Sequence, residues 1–283
     1  MVKVLTTINP NEEDSHLEEI IYCMDNNATH PLIAEIIVFI DVRTEGANYT
    51  NERFTTSISI PADFVEKLNP LLLKFLDNND NISFIIIKNR PTYSDFFHYT
   101  NDYPNETWIL CNSDIYYPIS NSKIMRKVLS NNFDKFVICL TRYDILQANN
   151  TTPGYRIKYD GLDLMTTYDN GCSIDTWIFK SPIKQNKTNY NIEIGRMGCD
   201  GMMNYQLSLN YAVKNPCMDL ISIHKHKGHP VIYETDSMTY KGTAMTIIEY
   251  INSMKKNGFN IKNIPFSYEN GKVLGSAYRM QFL

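Results

Sequence analysis

Thr107-Trp108-Ile109-Leu110-Cys111-Asn112-Ser113-Asp114-Ile115-Tyr116-Tyr117 decides the fold. A short apolar run ends abruptly in three polar residues, the last a carboxylate. A run of this length, closed by a turn signal, reads as a buried strand. A buried strand that hands polar residues to its carboxyl end is how open α/β sheets build ligand sites. The same pattern recurs on either side. Val2 to Thr6, Ile33 to Val42, Ile82 to Ile87 and Lys135 to Leu140 are further apolar runs of strand length. Between them lie helical stretches. Asp14 to Asn27 carries Leu17, Ile20, Ile21 and Met24 at helical spacing, with Asp14 or Ser15 as the expected cap. Pro61 to Leu76, Pro91 to Asn101 (with Pro91 in the first turn) and Ser122 to Ser130 read likewise. Strand and helix therefore alternate, which predicts a mainly parallel sheet flanked by helices.

The second half is less regular. Ser173 to Lys180 and Asp219 to Ile223 read as strands, and Met202 to Ala212 and Thr243 to Lys256 as helices. Gln147 to Asp160 and Ser181 to Tyr190 read as polar loops, and residues 259–283 as an irregular tail. The expected division is one α/β domain over residues 1–235 and a helical C-terminal extension over 236–283 packed on it.

Composition narrows the partners. Among 283 residues, Lys+Arg 27 stand against Asp+Glu 31, so there is no basic surplus for a nucleic-acid footprint. No apolar stretch approaches the roughly 20 residues of a membrane helix. The N-terminus lacks a secretory apolar region, so the expected location is the cytoplasm. None of the six cysteines forms a CxxC pair, and buried reduced thiols are expected.

Five polar clusters could carry chemistry. Asp114 could hold a hard divalent cation through oxygen, or cap the turn that follows. In His224-Lys225-His226, two imidazoles two residues apart share a side of an extended segment. Either could complete a metal sphere begun by Asp114, with Lys225 on phosphate, or the triplet could be a solvated basic turn. Gly195-Arg196-Met197-Gly198-Cys199-Asp200-Gly201 precedes a helix. Asp200 there is a candidate general base and an equally good cap. Asp175 interrupts the apolar strand Ser173 to Phe179 and must have a partner or ligand, since an unpaired buried carboxylate is costly. Arg90, past Ile82 to Ile87, could meet phosphate or tie down a carboxylate. Thr6, Thr7, Asp41, Asn112 and Ser113 stand at the other strand ends.

In this order, these segments resemble a family of small GT-A-type glycosyltransferases of bacteria and large DNA viruses. They are also similar to a rhamnose-transferring domain of chlorella-virus enzymes. The resemblance covers roughly residues 2 to 235. It rests on Leu5-Thr6-Thr7, Asn89 to Asp95, Cys111 to Tyr116, Leu140-Thr141-Arg142-Tyr143-Asp144, Ser173 to Phe179, Gly198-Cys199-Asp200, and Asn215-Pro216 ahead of His224-Lys225-His226. It implies a GT-A-like fold and inverting transfer from a nucleotide-sugar donor, UDP-sugars favoured, to a glycan or glycoprotein acceptor. One divalent cation, Mn²⁺ or Mg²⁺, is implied, held by Asp114 with His224 or His226. Asp200 is the first choice of base and Asp175 the second. Thr6, Thr7, Asp41, Arg90, Asn112, Ser113 and Lys225 are the implied nucleotide-sugar contacts. Asn112 stands where such enzymes carry the first Asp of a DxD motif. A nucleotidyltransferase, or a sugar-binding module on a decayed transferase fold, are the alternative readings.

Overall fold

The structure, a computed structural model, describes residues 1–9, 13–41, 55–56, 69–87, 90–146, 155–166, 173–185, 188–195, 199–226, 266–269 and 272–275. Its strands are β1 (Val2–Ile8), β2 (Ile33–Asp41), β3 (Thr55–Thr56), β4 (Ile82–Ile87), β5 (Thr107–Cys111), β6 (Ile115–Tyr116), β7 (Phe136–Thr141), β8 (Tyr143–Ile145), β9 (Tyr155–Tyr159), β10 (Leu162–Thr166), β11 (Ile174–Lys180), β12 (Ala212–Lys214), β13 (Ile223–His224), β14 (Phe266–Glu269) and β15 (Lys272–Gly275). The helices are α1 (Asp14–Ala28), α2 (Pro70–Asp77), α3 (Tyr93–Asn101), α4 (Ser122–Leu129) and α5 (Cys199–Ser208).

Among the described residues the central sheet has eight strands, ordered β12-β7-β11-β5-β1-β2-β4-β3. Strands β5, β1, β2 and β4 run parallel, as do β7 and β12. The short edge strand β3 and the internal β11 run against their neighbours. The mixed, mainly parallel α/β sheet expected from the sequence is therefore present. The direction of β11 has a consequence: its amino end, not its carboxyl end, lies beside the carboxyl ends of β5 and β7.

Period-two alternation along the strands explains the layering. Val4, Ile36, Val38, Ile40, Ile109, Ile138 and Leu140 face one core with Leu17, Ile20 and Met24 of α1, Leu72 of α2 and Met125 of α4. Leu5, Ile37, Phe39, Leu110, Cys139 and Trp177 face the other with Phe96 and Phe97 of α3 and Met203 and Leu207 of α5. In β11, Ile174 and Trp177 share a face although three residues apart, while Ile178 faces the opposite core. The β7 register shifts between Ile174 and Thr176, so Asp175 sits at a β-bulge. A bulge re-aims one side chain out of the alternation.

A second sheet, ordered β6-β13-β8-β10-β9, closes the carboxyl edge. Its strands are short and share a small core of Tyr116, Tyr143, Leu164, Ile221 and Ile223 with Cys23 of α1.

Several boundaries differ from the sequence expectation. Glu13, not Asp14 or Ser15, occupies the α1 cap, and its side chain makes no capping bond. Thr92, not Pro91, starts α3, in a reciprocal capping box with Asp95. The polar-loop reading of Gln147 to Asp160 is wrong over Tyr155–Tyr159, which pairs with Leu162–Thr166 as a hairpin. Helix α5 begins at Cys199 rather than Met202 and stops at Ser208. The strand expected over Asp219 to Ile223 is only Ile223–His224. The expected irregular tail contains the hairpin β14–β15. Thr243 to Lys256 and residues 61–68 lie outside the described residues. All the described cysteines are buried and unpaired, as expected.

Candidate functional site

Five segments bring charge to the carboxyl edge of the central sheet. The turn after β5 brings Asn112 and Asp114, and the β7–β8 crossing brings Arg142 and Asp144. The bulged start of β11 brings Asp175, β13 brings His224 and the first turn of α5 brings Asp200.

The small sheet sets the register of Asp114, Asp144 and His224. In β13, His224 pairs with Ile115 on one side and Asp144 on the other. The Lys225 amide donates to the Asp114 carbonyl at 3.0 Å. His224 is thus held between two carboxylates, with Nε2 2.9 Å from Asp114 Oδ2 and Nδ1 2.6 Å from Asp144 Oδ1. Burial pulls the imidazole pKa down, but Asp114 and Asp144 outweigh it and raise it to about 9. Burial likewise opposes ionisation of Asp114, and His224 nonetheless lowers it to about 2. Asp144 is lowered too, by the His224 hydrogen bond and the Arg142 charge acting against burial.

Arg142 links this group to Asp175. Its Nε lies 3.1 Å from Asp144 Oδ1, and an Nη donates to Asp175 Oδ2 at 2.7 Å. The other Asp175 oxygen accepts from Asn112 Nδ2 at 2.9 Å. Asp175 is 2% exposed with both oxygens engaged. Burial raises its pKa, and the guanidinium opposes that. The geometry gives Asn112 a physical reason. An aspartate there would set a second carboxylate against Asp175, whereas the amide donates to it. Ser173, whose carbonyl accepts from the Arg142 amide, has φ 66, an uncommon value for a residue with a Cβ.

Asp200 stands in a different environment. Its Oδ1 accepts from Tyr93 OH at 3.3 Å and from the Cys199 thiol at 3.2 Å. Burial pushes its carboxyl up to about 7, and the nearby Asp175 charge adds to the rise. The position is fixed by packing. Trp177 of β11 donates to Asn204 of α5 at 2.8 Å, and Tyr93 meets the Trp177 ring edge-on at 5.2 Å.

The remaining expected residues divide. Leu5 is level with Leu110, so Thr6 stands beside the end of β5. Thr6 and Asp41 are buried at the ends of β1 and β2, and Arg90 and Ser113 are half-buried. The Thr7 hydroxyl is spent between strands, donating to the Phe39 carbonyl at 3.0 Å. The Lys225 ammonium stacks over the Tyr22 ring at 4.6 Å rather than joining the cluster. His226 stacks on His224, with centroids 5.3 Å apart, but its Nδ1 faces Glu19 at 3.5 Å and not Asp114. Arg142, Asp144 and Tyr93 stood inside quoted motifs but were not singled out. For Arg142 and Asp144 the signal lies in the polar residues that follow the apolar run Val137 to Leu140.

The residues fit a divalent cation. Asp114 Oδ1 is buried and accepts no hydrogen bond among the described residues. Adjacent ligand atoms around an octahedral ion lie about 3 Å apart, close to the Asp114–His224 separation. Asp144 at Nδ1 would fix the His224 tautomer so that Nε2 faces the ion.

The sequence matches no protein-family model and no curated protein. Solved structures similar to it include S. aureus TarS 1-349, at 11% identity over 80% of this chain and 59% of that chain, TM-score 0.42. The Pyrobaculum calidifontis mannosyltransferase PcManGT, solved with GDP-Man and Mn²⁺, is 10% identical over 82% and 58%, TM-score 0.45. The T. maritima inositol-1-phosphate CTP transferase is 12% identical over 83% and 94%, TM-score 0.40. The chain thus spans under two thirds of the first two. Among the described residues no helix is long and apolar enough to cross a membrane.

Proposed function

We propose that the protein is a metal-assisted, inverting glycosyltransferase that moves a sugar from a nucleoside-diphosphate sugar, of the UDP class, to a hydroxyl of a glycan or glycoprotein acceptor. The observation that carries the reading is the pairing of two carboxylates tuned in opposite directions at one sheet edge. Asp114 is held ionised beside His224, and Asp200 is raised to about 7. A general base works best with a pKa near the working pH, and a metal ligand works best fully ionised.

Asp114 and His224 would hold one Mn²⁺ or Mg²⁺. Once bound, the ion would offset the charge that grows on the diphosphate leaving group. Thr6, Asp41, Ser113 and Arg90 border the place where the nucleotide would lie, along the ends of β1, β2, β4 and β5. Asp200 accepts the proton of the acceptor hydroxyl. The acceptor oxygen forms its bond to the anomeric carbon from the face opposite the diphosphate, and the bond from that carbon to phosphate oxygen breaks. Such proton transfer is typically worth about 10²–10⁴-fold in rate. Asp175, bound by Arg142 and Asn112, lies close enough to Asp200 that its charge adds to the rise in the Asp200 pKa. Incubation with UDP-sugars, an acceptor and Mn²⁺ tests the reading. Free UDP with a glycosylated product is expected. Pyrophosphate release would make the protein a nucleotidyltransferase, and tight binding without turnover would make it a sugar-binding module.

A further inference from the structure

A second group of ligating side chains lies beside the candidate active site and takes no part in it. His16 and Glu19 stand three residues apart on the first turns of α1 and share one side of the helix. His226 reaches them from the exit of β13. The Glu19 carboxylate is buried, its side chain 0% exposed, and one oxygen serves both imidazoles. That oxygen lies 3.2 Å from His16 Nδ1 and 3.5 Å from His226 Nδ1. All three ligand atoms fall within 4.8 Å of one another. The two rings meet edge-on at 85°.

We infer that His16, Glu19 and His226 form a second metal site, selective for a borderline transition-metal ion such as Zn²⁺. Ligand atoms on a tetrahedral Zn²⁺ with bonds of about 2.0–2.1 Å lie about 3.3 Å apart, and the two Glu19 distances, 3.2 and 3.5 Å, fall on either side of that value. Two imidazoles and one carboxylate are a donor set that favours Zn²⁺ over Mg²⁺ or Mn²⁺. The Asp114–His224 pair, with one carboxylate already holding its imidazole, is the harder of the two. The three side chains come from the start of α1 and from just past β13, far apart in sequence. An ion there cross-links helix α1 to the strand that carries His224, and the stacked His226 and His224 rings bring its charge close to the candidate active site. The protein would thus hold two cations of different chemistry, one to position α1 against β13 and the other to serve the donor.

The test uses Co²⁺ as a spectroscopic stand-in for Zn²⁺, added to the full-length, metal-free protein. One equivalent should give the intense visible absorption of a tetrahedral site, and Zn²⁺ should displace it. The absorption should persist in Asp114→Ala. His16→Ala, at a partly exposed position, should weaken Co²⁺ affinity by about tenfold or more. Glu19→Gln, which keeps shape and removes charge, should do the same. Circular dichroism of each variant establishes folding. Co²⁺ absorption that vanishes in Asp114→Ala and survives in folded His16→Ala would overturn the inference, as would wild-type protein that takes up no Co²⁺.

Discussion

Asp114 and Asp200 sit at the same edge of one sheet, and their surroundings drive them apart. Around Asp114 the short strands β6, β13 and β8 pin an imidazole between two carboxylates, and the Asp114 pKa falls to about 2. Around Asp200 the neighbours are Tyr93, Cys199 and the charge of Asp175, and the pKa climbs to about 7. Both are partly withdrawn from water, so burial alone does not divide them. The partner does: a cation for one, neutral hydroxyl and thiol donors plus a like charge for the other. Two carboxylates pushed apart in this way are the means by which a site keeps one as a fixed anion and the other as a base.

Changes on either side should break that contrast, and the largest effect is expected at Asp200. Asp200→Asn should lower turnover by about 10²–10⁴-fold while nucleotide affinity stays unchanged. In the wild type, kcat/KM should rise with pH through about 7 as Asp200 ionises. Equal turnover in the variant would remove Asp200 from the role. Because ionised Asp200 costs stability above its unfolded pKa, the same variant should melt higher than wild type at pH 8 and no higher at pH 4.

Next in size is the charge that joins the two regions. Arg142→Met strips Asp175 of its cation and leaves a buried carboxylate unpaired, which should cost about 3 kcal/mol by urea denaturation. An unchanged midpoint would show that the ion pair does not anchor the edge.

The Asp114 side is then sharpened by pH. For the metal-free protein, the folded His224 pKa of about 9 lies above the unfolded value of about 6.5. Its contribution is complete below about pH 6.5 and disappears as pH rises through about 9. His224→Gln should flatten the decline in melting temperature between pH 7 and 9. A decline just as steep in the variant would place its origin elsewhere.

The smallest effect is expected from Asn112→Asp. It restores the carboxylate of a DxD motif but sets it against Asp175, and a loss of about 1–2 kcal/mol is expected at neutral pH, shrinking in acid. A stabilised variant would contradict the proposed reason for Asn112.

Much of the scaffold was readable from residue order. Ile82–Ile87 and Thr107–Cys111 are strands with the expected limits, because continuous apolar runs of that length have one stable use in an α/β domain. Strand direction is not encoded in such a run, so the antiparallel β11, and with it the route by which Asp175 reaches the site, was invisible. Nor does sequence announce a bulge. The hairpin β9–β10 has a signal in the sequence. Tyr155, Ile157 and Tyr159 alternate with Arg156 and Lys158, and Asp160-Gly161 is a two-residue turn with φ 49 and 78. In the site, Asp114, Asp175, Asp200 and His224 were conspicuous in the sequence as acids and an imidazole near strand ends. Arg142 and Asp144 were not, because their importance lies in partners 33 and 80 residues away. Lys225 and His226 adjoin His224 in sequence, and in the structure they lie against the α1 side chains Tyr22 and Glu19.

Carboxyl-carbon NMR of aspartate-labelled protein, titrated from pH 2 to 9 without metal, reads the contrast directly. The account predicts one resonance with a midpoint near 7 that is absent in Asp200→Asn, and another ionised down to about pH 2 that is absent in Asp114→Asn. Midpoints for both residues near the ordinary aspartate value of about 3.9 would contradict it.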